Sequence, residues 1–119
     1  MILSFAWTSE AFLAGQKTCT RRRWSRAYMA RWQRAWDEGR LVHDAVDKSL
    51  RFGGKRIGKL RLTCRPYWER LEDMHPDDLE AEGGLWTSIE EFMGLFPGEP
   101  GQEVAVVRFE PIFATNITN

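Results

Sequence analysis

Cysteine and histidine are nearly absent from this chain: Cys19, Cys64, His43 and His75 are the whole complement. None of them stand at the short spacings of a metal-binding pair, so no metal centre is expected and a disulfide framework is excluded. No apolar run approaches the roughly 20 residues that a bilayer-spanning helix needs, and no basic-then-apolar leader is recognisable. The expectation is a chain that stays off the membrane, in a reducing and cytoplasmic setting. There, the glycosylation-type triplet Asn116-Ile117-Thr118 carries no meaning. The Gly-rich turn "RFGGKR" is too short and wrongly spaced for a phosphate-binding loop. No cofactor is therefore expected, and no internal repeat is visible.

Acid is missing from one long stretch and base from another. Residues 1–70 hold 16 of the 17 Lys and Arg but only 6 of the 17 acids, whereas residues 71–119 hold Arg108 as their one base. The net charge of zero thus conceals two halves of opposite sign. Such a division lets the halves attract each other in the fold, or builds one face for a polyanion. At 119 residues, 43% hydrophobic and 13% aromatic, the chain suits one domain with one core.

The opening "ILSFAW" reads as a short strand running into a helix, with Thr8 as its cap, Trp7 and Phe12 as a hydrophobic staple and Gly15 as the left-handed stop. Alternation then places Lys17, Cys19 and Arg21 on one side of a second short strand and Thr18, Thr20 and Arg22 on the other. Trp24, Tyr28, Trp32 and Trp36 recur every fourth residue and predict an amphipathic helix over 24–38, with Arg23, Arg31 and Arg34 roughly opposite and Arg26 at their margin. "RLVHDAV", "IGKLRLTC" and "VAVVRFEPI" are predicted strands, with Leu60, Leu62 and Cys64 facing one way. In "MHPDDLEAEGG", Pro76 suits a first helical position and the glycines a stop. Thr87 with Glu90 and Ser88 with Glu91 form overlapping capping boxes. The pattern is α+β, a small mixed or mostly antiparallel sheet with short peripheral helices and one longer Trp- and Arg-rich helix. Closing the sheet into a barrel would remove apolar edges.

"LSFAW", a short helix and "GQKTCTRR" resemble the G-x-K-x-x-[TE]-x-R signature of activating-signal-cointegrator homology (ASCH) domains, members of the PUA-like β-barrel superfamily. "IGKLRLTC", "LEDMHPDDLEAEGG", "SIEEFMGLF" and "VAVVRFEPI" are similar to that family's later segments, in the same order. The resemblance implies a single PUA-like domain over 1–113; residues 114–119 read as a loose tail. It also implies a cleft that takes RNA, single-stranded nucleic acid or a modified nucleoside. Some small bacterial members are amidohydrolases that deacetylate N4-acetylcytidine with a lysine, a threonine three residues later and a distant glutamate. Those roles fall on Lys17, Thr20 and Glu82, with Arg22 as the family's arginine and Glu80 as a neighbouring alternative to Glu82. The "RRWSRAYMARWQRAWDEG" stretch is longer and richer in arginine than its counterpart there, and would either cap the cleft or extend it.

Three expectations follow. A binding module would meet phosphates with Lys17, Arg22, Arg23 and Arg26 and stack a base on Trp7 or Trp24. An amidohydrolase would use Lys17 as base, with its pKa brought down by burial and by the neighbouring arginines, Thr20 as nucleophile, and Glu82 as proton donor to the leaving amine. A protein-interaction module would use the Trp-rich helix, although a monomer is expected. From the residues alone, Lys17 and Glu82 fit equally a buried structural ion pair with no chemistry.

Overall fold

The longest apolar run of the late chain, "VAVV", becomes the strand around which the sheet is built. In the computed structural model, which describes residues 1–113, β6 (Glu103–Ile112) keeps Val104, Ala105, Val106 and Val107 wholly buried. A strand apolar on both faces needs neighbours on both edges. On one edge β6 pairs antiparallel with β2 (Cys19–Arg22). On the other it pairs antiparallel with β5 (Tyr67–Arg70) near its start and with β4 (Arg56–Leu62) near its end. β3 (Val42–Val46) lies antiparallel against β4, and β1 (Ile2–Ser4) parallel to β3. The order is β1-β3-β4-β6-β2.

This mixed sheet curls into a half-barrel, and the two terminal strands of that order approach each other. The guanidinium of Arg22 on β2 donates to the carbonyl of Ser4 on β1 at 2.5 Å. The concave side holds a core of Leu3, Phe5, Phe12, Trp32, Leu60, Leu62, Val107 and Phe109. A second cluster, Leu71, Met74, Phe92 and Val104, sits under the acidic half of the chain.

α2 (Arg26–Asp37) starts two residues later than its periodicity predicts. Ser25 explains the difference: its Oγ accepts from the Tyr28 N–H at 3.1 Å, so the cap excludes Trp24 from the helix. Trp24 nevertheless joins the aromatic stripe, stacking on buried Trp32 with ring centres 5.4 Å apart. Tyr28 and Trp36 also pack on the core, while Arg23, Arg31 and Arg34 face solvent. Ser25→Ala is expected to cost about 1 kcal/mol through loss of the cap, read as a lowered urea midpoint with an unchanged slope.

Other local expectations fail for identifiable reasons. Thr8 does not cap α1 (Ser9–Leu13); its hydroxyl donates back to the Phe5 carbonyl at 2.7 Å. Trp7 does not staple to Phe12, because a tight 3-10 turn over Ala6–Thr8 turns it outward while Phe12 goes to the core. Gly15 does end α1 in the left-handed conformation, with φ of 77°. Pro76 lies ahead of α3 (Asp78–Ala81) rather than on its first turn. Cys64 falls beyond the end of β4 and is only half-buried. The Ser88 cap of α4 (Ile89–Met93) forms, but Glu91 reaches back to Thr87 and no Thr87–Glu90 box exists. The residues 114–119 expected to be loose lie outside the described residues. No described helix is long and apolar enough to cross a membrane.

Candidate active site

The turn that follows α1 delivers the lysine. After Gly15 reverses the chain, the N–H of Lys17 donates to the Ala11 carbonyl and that of Thr18 to the Ala81 carbonyl. The second bond ties the start of β2 to the end of α3, where Glu82 stands immediately before Gly83 and Gly84, both at positive φ. Lys17 and Glu82, 65 positions apart, therefore meet: Lys17 Nζ donates to the Glu82 carbonyl at 2.6 Å and to Glu82 Oε1 at 3.3 Å. Both side chains are 3% exposed. Glu80 points elsewhere, accepting from Gln16 at the surface, so Glu82 is the carboxylate at this position.

Lys17, Thr20, Arg22 and Glu82 form the polar wall of a hollow of about 230 Å³. It lies where β1 and β2 approach each other. Thr20 Oγ1 accepts from Arg22 Nε at 3.0 Å, which leaves its own proton free to be given away. The Phe5 ring lies at the base, with Lys17 Nζ 5.9 Å and the Arg22 guanidinium carbon 5.8 Å from its centre. Trp86, Phe92, Leu95 and Phe96 make an apolar wall, and Trp7, 69% exposed, stands at the mouth edge-on to Trp86. Ala6, also lining the hollow, has φ of 46°, a conformation that costs a non-glycine residue on the order of 1 kcal/mol or more and collects at functional sites.

Burial holds the Lys17 ammonium below the ordinary lysine range, and the Arg22 charge acts in the same direction against the pull of Glu82. Arg22 is lowered too, by burial above all, yet a guanidinium keeps its proton at any ordinary pH. Cys19, next to the site on β2, is a poor nucleophile: burial, reinforced by Glu82, pushes its thiol up to about 12.

One residue of this cluster escapes a motif-based reading. Arg21, with its side chain fully buried, donates to Glu82 Oε2 at 2.9 Å, to Glu69 at 2.9 Å and to Asp78 at 2.6 Å. Asp78 in turn accepts from Arg108. Burial works against the Asp78 charge, but hydrogen bonds from Arg108 and Arg21 hold its carboxyl below the usual range. Both Glu82 oxygens are thus engaged by cations. The alternation that groups Arg21 with Lys17 and Cys19 was the available signal, although β2 begins only at Cys19 and Thr20 and Arg22, expected on the other side, line the same hollow as Lys17. The apolar wall had a weaker one, the run of large side chains from Trp86 to Phe96.

Of the other residues expected to meet a nucleic acid, Arg22 and Trp7 line this hollow, whereas Arg23, Arg26 and Trp24 do not. Arg22 is spent on Thr20 and Ser4. Arg26 pairs with Glu103 at 2.6 Å and lies over the Trp68 ring. Arg23 faces solvent and does not line the hollow, and Trp24 is committed to Trp32. The chain matches no protein-family model, no curated protein and no solved structure.

Proposed function

We propose that this protein is a PUA-like, ASCH-type amidohydrolase that removes the acyl group from an N4-acylated cytosine nucleoside such as N4-acetylcytidine. The observation that carries this reading is the convergence of Lys17, Thr20 and Glu82 on one small hollow, with the lysine's charge disfavoured by burial. The hollow is smaller than the roughly 300–1,000 Å³ of drug-sized sites, which suits one nucleoside better than a run of bases. Its two walls suit an amide: cationic and hydroxyl groups meet the carbonyl, and the Trp86 and Phe96 side meets carbon.

In this reading the neutral Lys17 amine takes the Thr20 proton as Oγ1 attacks the acyl carbon. The Arg22 Nε–H, already on Oγ1, steadies the charge that builds on that oxygen as its proton leaves, before the electron pair passes to the acyl carbon and the carbonyl oxygen takes the negative charge. The carbon–nitrogen bond then breaks and the Lys17 ammonium returns its proton to the exocyclic amine, releasing cytidine. Water, activated by the same lysine, cleaves the acyl-threonine ester to a carboxylate and restores the hydroxyl. Because Lys17 and Arg21 occupy both Glu82 oxygens, Glu82 serves to hold the lysine, and the proton for the leaving amine comes from Lys17. The proton-donor role expected of Glu82 is thereby given up.

The test is release of cytidine and acetate from N4-acetylcytidine by the purified chain, and loss of that release in Thr20→Ala. No turnover at any pH between neutrality and the ordinary lysine range would sink the reading. Trp7→Ala removes an exposed stacking surface at the mouth. Since a base on an aromatic ring is worth about 1–3 kcal/mol, KM is expected to rise by roughly 5- to 150-fold with kcat little changed, and steady-state kinetics read both.

A further inference from the structure

A second hollow, of about 290 Å³, lies beside the first. Ser4 lines both, so the two are neighbours across β1. Its wall includes Ser49, Leu50 and Arg51 from the turn that links β3 to β4. That turn, residues 47–55, carries Lys48, Arg51 and Lys55, with Arg56 opening β4 just after it, against a single acid, Asp47. The Asp47 carboxylate is engaged by the turn's own backbone, accepting from the Lys55 N–H at 2.7 Å. Arg56 reaches Asp44 at 3.4 Å. Among the described residues, Lys48, Arg51 and Lys55 make no ion pair, and all three are exposed. Between them Phe52, 73% exposed, and Leu50, 47% exposed, stand out as the turn's large apolar side chains. A left-handed Gly53, with φ of 81°, closes the 3-10 turn Leu50–Phe52 that presents them.

Free cations interleaved with an exposed aromatic ring are what a single strand of nucleic acid needs: charges for its phosphates and a flat surface for an unpaired base. From this juxtaposition we infer that the ligand is a single-stranded polynucleotide. One nucleoside enters the first hollow, and the adjoining backbone crosses Ser4 onto Lys48, Arg51 and Lys55, with a neighbouring base on Phe52. The inference rests on the proposed nucleoside hollow and adds a strand-binding surface outside it. It also moves phosphate recognition away from Arg22 and Arg26, which the fold spends internally, to a turn that the fold leaves free.

The experiment uses the full chain and two probes: a fluorescent single-stranded RNA of about nine nucleotides with one central N4-acetylcytidine, and the free nucleoside N4-acetylcytidine. The same sequence as DNA distinguishes the sugar. Thr20→Ala is used for binding, so that the probe is not consumed. The RNA is expected to bind with affinity falling as the salt rises, with a slope near −2 for three phosphate contacts at about −0.7 each. K48E/R51E/K55E is expected to weaken it by about tenfold or more at low salt and to flatten that slope. F52A is expected to weaken it at every salt concentration. R31E/R34E, a reversal of two exposed charges on α2, is the comparison and is expected to leave the affinity within about twofold.

In turnover, the preference for the acetylated RNA over the free nucleoside is expected to fall in the turn variant. The inference is overturned if the triple variant binds the RNA like its parent, if R31E/R34E weakens binding as much, or if the RNA is held no better than the free nucleoside. Absence of deacetylation of both probes would defeat the hydrolase reading alone, because the binding measurements still decide the strand surface. A partner protein in place of RNA would leave the probe unbound by the parent chain and likewise overturn the inference.

Discussion

Thr20→Ala and Lys17→Met are each expected to lower the proposed turnover of N4-acetylcytidine by about 10²- to 10⁴-fold, the range for removal of a nucleophile or its general base. Neither change leaves an unpaired charge behind. Thr20 gives up a hydroxyl whose partner Arg22 keeps the Ser4 carbonyl, and Glu82 retains Arg21 when Lys17 is gone. Circular dichroism is therefore expected to match the parent protein, so the loss is chemical. In the proposed mechanism the lysine acts only without its proton, so kcat/KM is expected to rise with pH and level off above an inflection below the ordinary lysine value of 10.5. Burial, then Arg22, sets that direction, and Glu82 opposes it. Glu82→Gln removes the opposing charge, so the inflection moves to lower pH whatever happens to the plateau. A shift to higher pH, or a profile without any inflection on this limb, would show that Lys17 is not the base.

The parts of this arrangement that could be read from the chain are those set by local chemistry. Alternation along "KTCTRR" and "IGKLRL" made strands of β2 and β4. The fourfold aromatic spacing made α2, and the two glycines after Glu82 marked where α3 stops. The convergence itself could be expected only through the resemblance, because Lys17 and Glu82 are distant in sequence and meet through backbone bonds such as Thr18 N–H to the Ala81 carbonyl. β5 was missed: "YWER" is four residues long, half-buried, and gains its strand character only by pairing with β6. Trp7 and Thr8 illustrate the opposite error. Their types fit a helix start, but the strained turn at Ala6 redirects both, and no sequence pattern announces a positive φ on alanine. The arginines were legible as an excess of charge, not as individuals. Arg21 became the buried hub among Glu69, Asp78 and Glu82, Arg22 a strut between β1 and β2 on the Ser4 carbonyl, and Arg26 a surface pair with Glu103, according to which acceptors the fold set beside each.

That charge division has an energetic consequence centred on Glu82. Glu82→Ala is expected to destabilise the fold by about 3–5 kcal/mol, the usual cost of stranding a buried charge. Arg21 is not the stranded group, since Glu69 and Asp78 still receive its guanidinium. Lys17 is: its ammonium, 3% exposed, loses its only ion-pair partner among the described residues. The penalty should therefore depend on pH in a calculable direction. Lys17 has a folded-state pKa below its unfolded value, so over the window between the two the unfolded chain binds more protons and stability rises with pH. Removing Glu82, which raises that pKa, widens the window downward and lets the buried amine shed its proton more readily. Urea unfolding should accordingly show a larger deficit for Glu82→Ala near neutrality than close to pH 10. Adding Lys17→Met should recover most of the deficit, because it replaces the stranded charge with an apolar side chain of similar length against Phe5. If the two substitutions instead add, each costing stability independently, the ion pair is not the link that joins the basic strand β2 to the acidic helix α3, and the network through Arg21 and Asp78, with the bond from the Thr18 N–H to the Ala81 carbonyl, carries that connection.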